Sequence, residues 1–179
     1  MLNIDNCLVL MIDFQDKLIK ATSADIEAQN AEKMLKAAKI LNIQTIVSEQ
    51  YPKGLGSTSQ KLLDAVPEDA KFIEKTAFSL LKEENALDLI KSFEKNHIIL
   101  FGIETHICVL QTALDLLENG FEVYLIRNAC KSRSDYESAA GTELMKEQGV
   151  QLLTLETALF QLLRTSKHPK FKEVQALIK

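Results

Sequence analysis

Short, mainly apolar runs recur along this chain between longer stretches patterned like helices, and this alternation restricts the fold more than any other feature. The runs cover residues 7–13, 44–49, 71–74, 97–103, 122–127 and 151–153. Helical periodicity covers about 25–41, 57–65, 83–95, 105–119 and 134–148, with another helical tail from about 168. Runs rich in Ile, Val and Leu without a regular polar face fit strands buried on both sides. Strands that alternate with helices join by right-handed crossovers into a mostly parallel sheet covered on both faces. Gly120 and Gly149 fall where two of the helices should stop. There is no linker, repeat or low-complexity tract, so residues 1–179 read as one α/β domain.

Composition removes several function classes. The chain has 21 Lys and Arg against 25 Asp and Glu, a formal charge of −4, with no dense basic block. That argues against a nucleic-acid platform. Apolar runs such as Ile98-Ile99-Leu100-Phe101 are far too short to span a bilayer. Asn3, Asp5 and Asn6 stand where a signal peptide carries basic residues, so no membrane association and a cytoplasmic location are expected. Cys7, Cys108 and Cys130 form no C-x-x-C pair and are expected as free thiols. A dinucleotide site is excluded locally. Asp13-Phe14-Gln15-Asp16-Lys17 follows the first strand, where G-x-G-x-x-G would be needed to admit a pyrophosphate.

Open parallel sheets build their sites beyond the carboxyl ends of the strands. Asp13, Lys75 and Cys108 all fall there, after the first, third and fourth strands. Each also has a plain structural reading: a capping aspartate, a solvated lysine, a small buried thiol. The setting of Cys108 tips the balance. Gly102-Ile103-Glu104-Thr105-His106-Ile107-Cys108 reads as strand, tight turn and helix start. With Thr105 as N-cap, Cys108 is the third helical residue, where open amides and the helix dipole favour a thiolate.

Asp13-Phe14-Gln15, Lys75 before Thr76-Ala77-Phe78-Ser79, and the Gly102–Cys108 stretch together resemble the isochorismatase-like cysteine hydrolases. Residues 48–56, 128–133 and 168–173 resemble in particular the isochorismatase domain-containing proteins. The resemblance implies a three-layer α-β-α, Rossmann-like fold with six parallel strands. It implies an Asp13–Lys75–Cys108 triad, a cis peptide between Ile103 and Glu104, and an oxyanion held by the amides of Glu104 and Cys108. The expected reaction is hydrolysis of a small amide or related acyl C–N bond through a thioester. Phe14, Gln50 and Phe78, with Tyr51 beside them, are the expected substrate contacts, although the aromatics fit a core equally well.

Nicotinamidases of this family carry a metal site with histidines near the second strand, whereas residues 49–56 here hold none. His97, His106 and His168 show no ligand spacing, so no metal and no cofactor are expected. His106 lies two residues before Cys108, on a different helix face, and reads as a surface or interface residue. Glu104 is expected to put negative charge at the pocket mouth. Two rival readings stay open at this level. One is a redox-responsive cysteine, and the other is a catalytically idle assembly protein. Family members are usually oligomeric, and the apolar residues of 152–178 exceed what one sheet obviously covers, so a homo-oligomer is expected.

Overall fold

The first strand, β1 (Cys7–Ile12), is Cys-Leu-Val-Leu-Met-Ile, and all six of its residues are buried. A strand without a polar face needs cover on both sides, and the computed structural model, which describes residues 1–179, gives it the centre of the sheet. The others are β2 (Thr45–Gln50), β3 (Lys71–Lys75), β4 (His97–Ile103), β5 (Glu122–Lys131) and β6 (Gln151–Leu153). The order is β3-β2-β1-β4-β5-β6, and every neighbouring pair is parallel. The chain therefore builds outward from β1 to one edge, returns, and builds outward again from β4. A crevice opens between the carboxyl ends of β1 and β4, where the direction of winding reverses.

Helices α1 (Asp16–Thr22), α2 (Asp25–Leu41), α3 (Pro52–Leu55), α4 (Gln60–Leu63) and α5 (Ala86–Ser92) accompany the first half. Helices α6 (Leu110–Glu118), α7 (Asp135–Glu147), α8 (Leu155–Leu163) and α9 (Phe171–Gln175) accompany the second. Helix α2 buries Ala31, Met34, Leu35, Ala38 and Leu41 at helical spacing and packs on β5. It ends at Asn42, whose left-handed backbone (φ 55°) sends its N–H back to the carbonyls of Ala38 and Lys39. No helix is long and apolar enough to cross a membrane.

The strand pattern survives in the structure and several helix boundaries do not. The helix expected over 57–65 shortens to α4, and α3 forms in residues expected as loop; between them the Glu49 carboxylate takes the N–H and hydroxyl of Thr58. Helices α1 and α8 were not legible as separate elements; α8 starts at Thr154, whose hydroxyl accepts the Thr157 N–H. Strand β5 runs four residues past its expected end, its register against β4 shifting between Leu100 and Gly102. The apolar tail is also accounted for internally. Leu155, Leu159, Leu162, Leu163 and Val174 are buried as α8 and α9 fold back on α2, and only Phe160 stays substantially exposed. That removes the tail as a reason to expect an oligomer.

Candidate active site

Four strand ends meet at the crevice: β1 delivers Asp13, β2 delivers Gln50, β3 delivers Lys75, and β4 leads through a short turn to Cys108. Asp13 and Glu104, which follow β1 and β4, both hold left-handed backbone, with φ 58° and 57°. Non-glycine residues resist that region, at a cost of order 1–3 kcal/mol each, and such strain concentrates at functional sites.

The Asp13 carboxylate and the Lys75 ammonium form an ion pair at 2.7 Å with both side chains fully buried. Removing two ions from water costs several kcal/mol each, so such a pair persists only with further partners. Ser48 Oγ donates to Asp13 Oδ1 at 2.7 Å. Lys75 Nζ donates to Gln50 Oε1 at 2.5 Å and to the carbonyl of Phe78 at 3.1 Å, with the Ala77 carbonyl at 3.4 Å. Counting Asp13, four acceptors surround three protons. Asp13 Oδ2 accordingly has a close cation but no well-aligned hydrogen bond, and keeps capacity to accept a proton.

Cys108 lies over this pair, its sulfur 4.0 Å from Gln50 Oε1. The local backbone differs from expectation in two respects. No peptide bond in the chain is cis, so the anticipated cis bond between Ile103 and Glu104 is trans, and the left-handed Glu104 makes the tight turn instead. Glu104, not Thr105, is the N-cap residue. Its carbonyl accepts the N–H groups of Ile107 (3.0 Å) and Val109 (3.4 Å), and residues Thr105–Val109 form one π-helical turn before α6. The Glu104 N–H has no internal acceptor.

Neither helix start nor lysine yields a standing thiolate. Burial, and next the negative charge of Asp13, push the Cys108 thiol up to about 12, against the opposing pull of Lys75. Cys108 is 6% exposed. The resting group is SH, with a carboxylate beside it to take the proton.

Of the expected substrate contacts, Phe14 is corrected. Its ring is wholly buried and packs against Phe101 at 6.3 Å between centroids, so it is a core residue with no surface for a ligand. Phe78 and Tyr51 are 53% and 54% exposed. Gln50 stands inside the site, its Oε1 between Lys75 and Cys108 and its Nε2 on the Thr76 carbonyl at 2.9 Å. A cleft of about 260 Å³ reaches Lys75 between Tyr51, Pro52 and Lys53 on one side and Thr76 and Glu83 on the other. Glu104 does not sit at an open mouth. It is buried, its Oε1 2.7 Å from Arg133 Nε. His106 faces Ser132 Oγ at 2.9 Å rather than the sulfur. No cluster of three or more His, Cys, Asp or Glu side chains is placed to hold a metal ion.

Sequence reasoning missed Ser48, Gln15 and Arg133. Gln15 is fully buried and clamps the loop after β2, donating to the carbonyls of Gln50 (2.9 Å) and Gly56 (2.6 Å) and accepting the Gln50 N–H (2.8 Å). Its sequence signal is its place in the Asp13-Phe14-Gln15 motif, two residues past Asp13.

The isochorismatase domain profile matches residues 7–157. The chain belongs to the isochorismatase family. Isochorismatase domain-containing protein 2 from Xenopus laevis is 41% identical over 172 residues, covering 96% of this chain and 82% of the relative. Among solved structures, the MAR1 ribonuclease from Caenorhabditis elegans superposes with a TM-score of 0.93 at 39% identity, over 99% of this chain and 91% of that one. The YcaC protein of Escherichia coli, an octameric hydrolase of unknown specificity, shares the fold at 22% identity, with a TM-score of 0.87 over 99% of this chain and 94% of that one. Membership makes this chain an isochorismatase-family hydrolase.

Proposed function

We propose that this hydrolase cleaves a small amide or related acyl C–N bond through a thioester on Cys108. The observation that carries the reading is the buried arrangement of the Cys108 sulfur beside Gln50 and the Asp13–Lys75 pair, with Asp13 Oδ2 still lacking an aligned donor. Asp13 accepts the Cys108 proton as sulfur attacks the carbonyl carbon. Lys75, 2.7 Å from Asp13, holds the carboxylate in place and offsets the anionic charge that builds during attack. The unpartnered Glu104 N–H, with that of Cys108, receives the oxyanion; a donor of this kind is worth about 3–4 kcal/mol in comparable sites. The proton on Asp13 passes to the departing nitrogen, and water then hydrolyses the thioester. Gln50, beside the Cys108 sulfur, contacts the substrate, with the exposed ring of Phe78 as a second contact.

Burial of Cys108, which limits an oxidant's access, disfavours the redox reading. The name of the Caenorhabditis relative raises RNA cleavage as a second reading. The net charge of −4 and a nucleophile that is 6% exposed make a small neutral substrate the better fit. We also place the enzyme in the reducing cytoplasm as a homo-oligomer with no resident cofactor. A panel of small primary amides, ureido compounds and a short RNA tests the reading. Turnover of an amide that vanishes in Cys108→Ala is expected. Amide turnover that survives in Cys108→Ala, or RNA cleavage with no amide turnover, overturns it.

A further inference from the structure

We propose that Arg133 is a positioning residue for the oxyanion-binding turn, acting through Glu104. This rests on the reading of Cys108 as nucleophile.

Glu104 is the pivot of that turn. Its N–H is free, its carbonyl anchors the π-turn carrying Cys108, and its φ of 57° lies in the left-handed region that non-glycine residues enter at a cost. Any relaxation of Glu104 toward ordinary backbone re-aims the free N–H and moves the following turn with it. The side chain is what opposes this relaxation. It is buried, with Oε1 on Arg133 Nε at 2.7 Å and Oε2 3.5 Å from His106 Nδ1 without a hydrogen bond. His106 is fixed in turn by Ser132 at 2.9 Å, next to Arg133 in the chain. Arg133 itself is largely exposed, and Glu104 is its one ion-pair partner. An arginine at the surface with a single ion pair to a buried residue in left-handed backbone has little packing to contribute. Its consequence is the conformation of Glu104.

The test compares two reactions of the same thiol. Attack of Cys108 on p-nitrophenyl acetate forms an S–C bond at a carbonyl, expels nitrophenolate and passes the thiol proton to Asp13, with an oxyanion in between. Alkylation by iodoacetamide forms an S–C bond, expels iodide and passes the same thiol proton to Asp13, with no oxyanion. Both are followed at Cys108 by mass spectrometry on the intact full-length protein, with Cys108→Ala as control and thermal melting to establish folding. In Arg133→Ala the acylation rate is expected to fall about tenfold while alkylation changes little, because only acylation depends on where the amide points. Arg133→Lys restores part of the loss, and Glu104→Gln, which keeps the shape and removes the ion pair, reproduces it. If Arg133→Ala changes both rates alike, or neither, the positioning role is wrong and the nucleophile stands. If Cys108 of the unaltered protein reacts with neither reagent, the catalytic reading fails and takes this proposal with it.

Discussion

Asp13 shows how much of this site depends on one carboxylate. It accepts from Ser48, pairs with Lys75 and raises the thiol above it, all without solvent. Asp13→Asn keeps the shape and the Ser48 contact while leaving a buried ammonium without its counter-ion. Turnover is expected to fall by about 10²–10⁴, the usual range for a lost general base. Stability should fall by about 3–5 kcal/mol in urea titration, the cost of breaking a buried pair from one side. The thiols give a pH prediction. Cys7 is held up at about 11, Cys108 and Cys130 at about 12, each chiefly by burial, against an ordinary 9.0. The unfolded chain releases these protons from about pH 9 while the folded chain keeps them, so the stabilisation is intact below pH 9 and is lost toward pH 12. Melting temperatures measured between pH 8 and pH 11 should decline, and less steeply in Cys130→Ala than in the unaltered chain. Asp13, Lys75 and Cys108 were legible because each follows a strand. The protonation state of Cys108 was not, since it depends on burial and on Asp13, which only the folded chain supplies.

At the scale of elements, the four inner strands β1, β2, β4 and β5 could be read because their apolar runs answer to burial on both faces. The edge strands β3 and β6 are mostly exposed or half-buried and were legible only from their place in the strand–helix alternation. The turn after β4 could not. Its left-handed Glu104 and π-helical step are dictated by partners distant in sequence, Arg133 and the face of α7. Gly141 marks that contact. A Cβ built there would lie 2.7 Å from the Cα of His106 and 2.9 Å from its Cβ, so α7 and the Cys108 turn approach as closely as they do only because the side chain is missing. In an unobstructed helix, Gly→Ala is favourable by about 1 kcal/mol. Here the sign reverses. Gly141→Ala should destabilise by about 1–3 kcal/mol, as overpacking does, and should slow Cys108 acylation because the strain falls on the turn. Chemical denaturation supplies the first reading and nitrophenolate release the second. A stabilised variant of unchanged reactivity would show that α7 does not brace the turn.

For the whole molecule, the question is which surface a second copy would cover. The carboxyl-terminal apolar residues that the sequence offered for this role are spent on the molecule's own core, so the partner surface must lie elsewhere. On the homo-oligomer reading proposed above, helix α7 is the surface to test. Along 13 residues it buries only Gly141 and Met145, and it turns Tyr136, Ala140 and Leu144 outward at four-residue intervals on one face. Tyr136 is 79% exposed and Leu144 is 40% exposed, an apolar stripe unlike the charged outer face expected of a solvated helix. The same helix braces the Cys108 turn from its inner side, so a copy docked on α7 would stiffen the site without entering it. Light scattering at micromolar concentration should return at least twice the 20.1 kDa of one chain. Tyr136→Lys combined with Leu144→Lys should shift the protein toward the single-chain mass, since paired like charges across a two-fold contact oppose association. Dilution of the unaltered protein should reproduce that shift only at much lower concentration. A mass of one chain throughout the dilution series would end the assembly reading. An oligomer indifferent to both lysines would move the contact off α7.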